Sequence, residues 1–412
     1  MSAPLHRHPS LGLAFAGSQL RVVGPPGLGL LVDADTVAIL ALCDGTRDLA
    51  ALARDLQAAG RWPGLSPVGA QELVRTATAR LEAAGAFVGE GPEEPPPSTR
   101  GYGHPAIHRH MLRDQARTDA FKRAIEAVVR PGDVVIDVGT GSGALAVFAA
   151  RAGAARVHAV ERTGLAAIAR EVAAASGVAD RVVVHEGEAR DLPPAGVQAD
   201  VLVSEWLGHM AVTEAMLPAV AAVRDRCLSP DAALIPARVT LWAAPLDDAA
   251  FRADGPAYWL TRPYGLELTP LLARELERQA TRVERLSPAS LLAPAALLYT
   301  IDVQHADVAE LTFTTTLTFV AERDGTLDGL AGWFVAELAP DVLLDTGPHA
   351  PETHWRQTLF PLPPRPLARG ARLEVTVECL GPSPDGRWGG PSWRLRVSVG
   401  GGAPEVFEYA TW

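Results

Sequence analysis

The alternation of strand and helix patterns around one glycine-rich turn constrains the fold of this chain most strongly. Val134–Val138 has the pattern of a buried strand, the turn 139–143 follows it, and 144–152 has the pattern of a helix. A second strand pattern, 156–160, ends at Glu161. Glycine is needed in the turn because a Cβ would keep a cofactor away from the backbone, and the N-terminus of the next helix favours a carboxylate or a phosphate. This order predicts an α/β domain with a cofactor at the turn.

The glycine motif alone does not identify the cofactor. Gly139-x-Gly141-x-x-Ala144, followed by an acid about twenty residues later, also satisfies the dinucleotide fingerprint. Glu161 would hold ribose hydroxyls in a nicotinamide oxidoreductase and in a methyltransferase alike. The motif therefore leaves both classes of enzyme open.

A second motif places two carboxylates in one short loop. The loop Ser204–Glu214 directly follows the apolar run 199–203 and carries Glu205 and Glu214, which are nine positions apart. If the loop doubles back, both carboxylates can hold one planar cation from two sides. A guanidinium fits this arrangement best because it is planar, permanently charged and offers its N–H donors in a fixed fork.

The composition limits the partners of the protein. The formal net charge of −11 argues against nucleic acid, which needs clustered Lys and Arg, and favours basic partners. Cys43, Cys227 and Cys379 show no spacing typical of zinc or of redox motifs, and the histidines show no ligand spacing, so we expect no metal and a reducing compartment. The first residues lack the apolar core of a signal peptide, and the most apolar later stretch is broken by prolines, so we expect a cytoplasmic protein without membrane contact.

Changes in pattern predict three domains. The proline-rich segment 91–100 is expected to be a stiff, extended linker. Residues 1–90 combine short strand patterns with three helical patterns, which is typical of a small winged-helix domain. Residues 101–236 form the α/β block, and in 237–412 apolar residues recur with period two, which predicts an antiparallel sheet or barrel. The aromatic-rich stretch of about 251–280 is expected to project from this sheet as an arm.

Four segments of the chain resemble the protein arginine methyltransferases in order and spacing. They are 102–118, 134–143, 204–214 and 346–360, and the Ser-Glu-Trp loop and the Thr-His-Trp sequence at 353–355 are their most specific parts. The resemblance implies a Rossmann-like α/β half that binds S-adenosylmethionine and an antiparallel β-barrel half that closes over the target. It also implies that the arm drives head-to-tail assembly into a homodimer.

The resemblance further implies a role for individual residues. The catalytic positions are a pair of glutamates and a pair that joins the two halves, namely Glu205, Glu214, Asp114 and His354. The cofactor-binding positions are His108, Met111, Arg117, Asp137, Gly139, Gly141, Gly143, Glu161, Glu188 and Ala189, among which Arg117 would hold the carboxylate of the cofactor. The substrate-binding positions are Tyr102, Trp206, Met216, Thr353 and Trp355.

Two departures from the pattern of this family bear on the site. Residues 98–99 are Ser and Thr where the first aromatics of a Tyr-Phe-x-x-Tyr helix are usual, and only Tyr102 remains. Because that helix normally closes over the bound arginine, a simpler amine could enter the site. Arg190 stands where a glutamate near the adenine is usual, which leaves Glu188 or Asp191 as substitutes.

The first domain shows a resemblance of its own. Residues 33–49 resemble PqqD-like domains, which capture leader peptides in ribosomal-peptide natural-product pathways by adding an extended segment to the edge of a small sheet. The two resemblances together imply an N-methyltransferase that acts on a guanidinium or amine of a ribosomally made precursor peptide. One alternative is a general protein arginine methyltransferase whose first domain is structural. Another is a peptide-binding scaffold without catalysis.

Overall fold

The chain forms two compact units, residues 1–97 and 98–412. The computed structural model describes residues 6–7, 12–16, 19–23, 29–43, 47–83, 86–88, 103, 105–191, 196–214, 216–277, 279–306, 312–382 and 391–410. The predicted linker 91–100 and Tyr102 lie outside the described residues. Among the helices that are described, none combines the length and the apolarity needed to cross a bilayer.

The first unit combines small antiparallel sheets with three helices. Its described elements are β1 (His6–Arg7), β2 (Gly12–Ala16), β3 (Gln19–Val23), β4 (Gly29–Val32), α1 (Ala34–Leu42), α2 (Leu49–Ala58), α3 (Pro67–Ala83) and β5 (Phe87–Val88). Strands β2, β3 and β4 form one antiparallel sheet with β3 in the centre, and β1 pairs with β5. The helices pack around buried Ile39, Leu52 and Val74.

Capping residues explain where the first two helices begin. The carboxylate of Asp33 accepts a hydrogen bond from the backbone N–H of Thr36 at 2.8 Å, and that of Asp48 accepts one from Ala51 at 2.8 Å. Each bond satisfies a donor that the first turn of a helix leaves free. The short strand patterns of this domain correspond to a three-stranded sheet. Its additional strand β2 has the sequence Gly-Leu-Ala-Phe-Ala, whose small residues carry little strand propensity.

The second unit begins with a parallel α/β sheet. Its elements are α4 (Pro105–Arg113), α5 (Gln115–Val128), β6 (Val134–Val138), α6 (Ala144–Ala152), β7 (Arg156–Glu161), α7 (Leu165–Ala175), β8 (Val182–Glu186), β9 (Ala199–Val203), α8 (Leu217–Cys227) and β10 (Leu228–Ile235). The strand order is β10-β9-β6-β7-β8, and all neighbours are parallel. Because β6 is central and flanked by β7 and β9, the loops that follow these three strands lie at the same edge of the sheet.

Antiparallel sheets make up the rest of the second unit. Their strands are β11 (Arg238–Leu246), β12 (Gln279–Ala280), β13 (Arg282–Glu284), β14 (Ala296–Asp302), β15 (Thr312–Val320), β16 (Gly325–Ala339), β17 (Val342–Asp345), β18 (Gln357–Leu367), β19 (Arg372–Pro382), β20 (Pro391–Val399) and β21 (Glu405–Ala410). One sheet has the order β13-β18-β16-β11-β14, with β17 on β16, and the other has the order β12-β21-β20-β19-β15. Among the described strand pairs of these two sheets, β12–β21 is parallel and the others are antiparallel. One hydrophobic core extends from the parallel sheet into these two sheets.

An arm of short helices interrupts the antiparallel region after β11. It consists of α9 (Ala249–Asp254), the 3-10 turns 256–261 and 263–265, and α10 (Thr269–Glu277). Arg252 anchors its base because its guanidinium donates to Asp328 at 3.0 Å and to Asp247 at 3.1 Å. Burial raises the pKa of Asp328 to about 6, although Arg252 opposes this shift. The expected arm of about 251–280 thus corresponds to a helical excursion between two strands.

Candidate active site

The glycine-rich turn after β6 is built for close approach. Gly139, Gly141 and Gly143 have φ values of 74°, 54° and 83°, which side chains disfavour. A Cβ at Gly139 would lie 2.8 Å from Cε of Met216, and one at Gly141 would lie 2.5 Å from Cε1 of His108. Two of the predicted site residues, His108 and Met216, therefore lie directly against the turn.

Two buried carboxylates lie beside the turn. Glu161 at the end of β7 accepts the backbone N–H groups of Gly141 and Thr163, both at 2.8 Å. Asp137 accepts a hydrogen bond from the Thr140 hydroxyl with Oδ2 at 2.5 Å, whereas its buried Oδ1 has no hydrogen-bond partner of good geometry among the described residues. Burial raises the pKa of Asp137 to about 7, and the nearby charge of Glu161 adds to the shift. A buried acceptor without a partner and a raised pKa are both typical of a ligand site.

The loop after β8 carries the residues expected near the adenine. Glu188 follows β8 and lies 3.6 Å from Arg162 as an ion pair. Ala189 and Arg190 begin a 3-10 turn, and Arg226 donates to both of their carbonyl oxygens, at 3.2 Å in the case of Ala189. The side chain of Arg190 is exposed. The carbonyls of this loop are therefore held by a residue of α8 that the sequence did not single out.

Arg117 and Glu205 form the closest ion pair of the site. Oε2 of Glu205 lies 2.6 Å from Nη2 and 3.1 Å from Nε of Arg117, and both side chains are nearly buried. Oε1 of Glu205 accepts the backbone N–H of Leu207 at 3.0 Å. Removing one partner would leave a buried charge uncompensated, which commonly costs about 3–5 kcal/mol. Arg117, which was expected to bind the cofactor carboxylate, is therefore in direct contact with Glu205, which was expected to bind the substrate.

The loop Ser204–Glu214, which we call the glutamate loop, is tightly turned. Met210 and Ala211 have φ values of 52° and 60°, which non-glycine residues rarely adopt. Gly208 packs against Glu214, because a Cβ at Gly208 would lie 2.8 Å from Cγ of Glu214. Such strained backbone is common at functional sites. The chain thus doubles back between Glu205 and Glu214, which is the condition that the sequence analysis set for the two carboxylates to act together.

Asp114 connects the two halves of the second unit. Its Oδ2 accepts the backbone N–H and lies 2.8 Å from Nδ1 of His354, and its Oδ1 accepts the backbone N–H of Arg117 at 3.0 Å. Burial alone would raise the pKa of Asp114, but these hydrogen bonds and the charge of His354 outweigh burial and lower it. Met111 lies next to this contact, because its backbone carbonyl accepts the N–H of Asp114 at 3.2 Å.

Three other predicted site residues are buried. Trp355 lies beside His354, with ring centroids 4.1 Å apart, and the buried hydroxyl of Thr353 has no hydrogen-bond partner within the described part of the chain. The side chain of Trp206, expected to contact the substrate, is 1% exposed and belongs to the hydrophobic core. Large indoles are often placed in this way because they remove much apolar area from water. Trp206 therefore anchors the loop in the hydrophobic core.

The sequence did not single out two histidines of this region. His209 lies in the glutamate loop, and its Nδ1 is 3.0 Å from the carbonyl oxygen of Trp355. The ring of His110 lies 5.8 Å from that of His354, edge to face. The position of His209 between Glu205 and Glu214 was the available signal.

Comparisons with known proteins define the class of this enzyme. The model of the ribosomal protein L11 methyltransferases matches residues 117–225, and the model of the arginine methyltransferase oligomerization subdomain matches 237–385. Trypanosoma brucei PRMT1, solved as an enzyme–prozyme heterotetrameric complex with AdoHcy, has a TM-score of 0.67 and 26% identity over 75% of this chain and 100% of that chain. Arabidopsis thaliana protein arginine methyltransferase 10 has a TM-score of 0.66 and 25% identity over 75% of this chain and 99% of that chain. The protein is an S-adenosylmethionine-dependent N-methyltransferase, which excludes the nicotinamide alternative.

Curated relatives show the family. Probable protein arginine N-methyltransferase 6 of Arabidopsis thaliana is 30% identical over 315 residues, which are 64% of this chain and 72% of the relative. Probable protein arginine N-methyltransferase 6.1 of Oryza sativa subsp. japonica is 32% identical over 297 residues, which are 64% of this chain and 75% of the relative. This chain belongs to the protein arginine N-methyltransferase family.

Proposed function

We propose that the protein methylates the guanidinium of arginine in proteins or peptides. The Arg117–Glu205 pair carries this proposal, because Glu205 already receives two N–H groups of a guanidinium on one carboxylate oxygen. Carboxylates recognise guanidinium groups through such forked bonds. The same loop supplies Glu214 as a second anion.

The residues around the glycine turn fit S-adenosylmethionine. The unpartnered Oδ1 of Asp137 can receive a polar hydrogen, the exposed loop at Glu188 and Ala189 offers an edge for the adenine, and we assign Glu161 to the ribose. Arg117 supplies the cation for the cofactor carboxylate, and His108 and Met111 lie on the helix above the turn. When bound, S-adenosylmethionine supplies an electrophilic sulfonium methyl group.

Glu205 and Glu214 serve to orient the target and to compensate its charge. A guanidinium stays protonated at physiological pH, so bringing it beside a second cation needs negative charge nearby. At an effective dielectric constant near 20, one pair of unit charges at about 4 Å is worth on the order of 4 kcal/mol before desolvation. Asp114 and His354 hold the loop of the antiparallel half against α5, so that Trp355 and Thr353 border the target, with Met216 on the side of the turn. Tyr102 is assigned to the target by resemblance only.

Charge-neutral variants of the two glutamates test the proposal. Glu205→Gln and Glu214→Gln should each form methylarginine at least about a hundredfold more slowly, because loss of one preorganised charge commonly costs two to three orders of magnitude. Glu352→Gln is the matched control, since Glu352 directly precedes Thr353 in the chain, is exposed and pairs with Arg285 and Arg356. Mass spectrometry of peptides with arginine, and with lysine in its place, identifies the product.

Each outcome of this experiment is informative. Methylarginine from the wild type and the control, with little from the two variants, supports the proposal. Methylation of the lysine peptides alone would move the function to simple amines. Full activity in both variants would place the chemistry elsewhere.

We further propose that the first domain recognises part of the substrate peptide. The proposed boundaries are 1–90 for this domain, 91–100 for the linker, 101–236 for the cofactor domain and 237–412 for the barrel domain. Support comes from β4, which pairs only with β3 among the described residues and exposes 40% of Leu31. An open strand edge can add an extended peptide through backbone hydrogen bonds. A ribosomally made precursor with a leader segment is the specific form of this proposal.

A comparison of two chains tests the role of the first domain. A chain of residues 98–412, which form one compact unit, should bind S-adenosylhomocysteine like the full chain. With full precursor peptides from neighbouring genes, the full chain should react at least about tenfold faster, because a second site raises the effective concentration of the target. With short arginine peptides the two chains should react equally. Equal rates on both substrates would return residues 1–90 to a structural role and would favour the general protein arginine methyltransferase.

A homodimer formed through the arm completes the proposal. The arm lies inside the region matched by the oligomerization subdomain. Its tip exposes Tyr264 almost completely, together with Leu260 and Leu266. Exposed apolar clusters of this kind are typical of contacts between subunits.

A further inference from the structure

The middle of the glutamate loop is a two-residue turn. The backbone N–H of Gly208 donates to the carbonyl of Ala211 at 3.1 Å, and the N–H of Ala211 donates back at 2.9 Å. His209 and Met210 occupy the corners of this turn. Met210 and Ala211 have positive φ values, which non-glycine residues rarely adopt, so we expect contacts outside the turn to hold it.

Two reciprocal hydrogen bonds join this turn to the loop that follows Thr353. Nδ1 of His209 lies 3.0 Å from the carbonyl oxygen of Trp355, and the indole N–H of Trp355 donates to the carbonyl of Leu207 at 2.6 Å. A backbone carbonyl can only accept, so Nδ1 of His209 carries the hydrogen. Trp355 is itself fixed by burial against Phe334, with ring centroids 5.2 Å apart.

These two bonds connect Trp355 to the backbone beside both glutamates. Leu207, whose carbonyl is held by Trp355, donates its backbone N–H to Oε1 of Glu205 at 3.0 Å. Gly208, next to His209, is in contact with Cγ and the backbone of Glu214, where even a Cβ would not fit. The turn therefore cannot move relative to Trp355 without displacing one or both carboxylates.

We infer that His209 is a positioning residue for methyl transfer, and that its Nδ1–H bond to Trp355 holds Glu205 and Glu214 at the separation that the target needs. The inference rests on the proposed arginine methylation. Burial lowers the pKa of His209; the bond to Trp355 acts in the opposite direction, and the nearby His354 adds to the lowering. A neutral imidazole suits this position because it donates to Trp355 without bringing a further cation beside the target.

Three substitutions separate the hydrogen bond from the bulk of the ring. His209→Phe keeps the ring and removes the donor, whereas His209→Asn keeps a side-chain N–H near the position of Nδ1. His209→Gln carries its N–H one bond further out. His305→Phe is the control, since His305 is exposed and its ring pairs with Asp302, away from the glutamate loop in the sequence. Each full-length variant is assayed for kcat and KM on an arginine peptide and for affinity to S-adenosylhomocysteine.

We expect His209→Phe to lower kcat by about ten- to a hundredfold, because misplacement of orienting groups by about 1 Å has effects of this size. KM should change less than about threefold and cofactor affinity less than about twofold, since both glutamate charges and the glycine turn remain. His209→Asn should recover kcat to within about threefold of the wild type, as expected if the hydrogen bond is the requirement.

A wild-type kcat in His209→Phe would overturn the inference, and so would equal losses in the Phe and Asn variants. If the Phe variant does not fold, the Gln variant takes its place, and equal kcat values for Asn and Gln overturn the inference. A wild type that forms no methylarginine refutes the proposed function, whereas an active wild type with unchanged variants refutes only the role of His209.

Discussion

At the scale of single residues, Asp137 beside the glycine-rich turn carries a negative charge that folding makes unfavourable. Asp137 is buried in the sheet end with one oxygen unpartnered, and its pKa is raised to about 7. The sequence alone shows the pattern to which it belongs, an acidic residue near the end of an apolar strand. The pKa shift was not, because it results from burial by residues distant in the chain and from the charge of Glu161.

The titration of Asp137 predicts a pH-dependent difference in stability. A carboxyl whose pKa is raised by folding favours the folded state at low pH, and this contribution is lost as the pH rises from about 4 towards about 7. The free energy of unfolding of the wild type should therefore fall relative to that of Asp137→Asn across this range, by at most about 1.4 kcal/mol per pH unit. Urea unfolding of both proteins from pH 4.5 to 8, with exposed Asp180→Asn as control, measures this difference. A constant difference would contradict the prediction.

At the scale of elements, local pattern and tertiary context contribute differently. Helix α6 occupies the predicted residues 144–152 because a glycine turn starts it and Gly153, with φ of 119°, ends it. The arm was expected as a projection with aromatics, but its course depends on Arg262 and Tyr264 in the left-handed region and on Arg252 held by Asp328. These contacts connect residues up to 76 positions apart, so no local pattern encodes them.

At the scale of the whole molecule, exposed apolar surface bears on the proposed dimer. Tyr264 is 99% exposed at the tip of the arm. A second apolar area surrounds a cavity of about 370 Å³ between α4 and α7, where Leu112 and Ile168 are each exposed by about 40%. An arm and a separate receiving face on one chain fit a symmetric dimer in which each copy provides both.

This arrangement predicts a dimer that depends on the arm. Wild-type protein should have twice the chain mass of 43.4 kDa in light scattering at micromolar concentration. Tyr264→Asp combined with Leu266→Asp should yield a monomer, because each change places a charge in an apolar contact. Val406→Asp is the control, since Val406 is exposed on β21 outside the arm. Wild-type monomers, or dimers of the double variant, would contradict the proposed assembly.

The sequence by itself determined the order of the main elements, the glycine turn and the loop that carries two carboxylates, since periodicity and turn chemistry act over a few residues. Together with the resemblance, these features were enough to predict an S-adenosylmethionine-dependent methyltransferase. Only the tertiary structure decided which side chains meet. Arg117 pairs with Glu205 across 88 positions, and Asp114 pairs with His354 across 240. His209 joins Trp355 across 146 positions. The last two contacts arise where the α/β half meets a loop of the antiparallel half, and this meeting depends on the packing of a shared core that no short stretch of sequence contains.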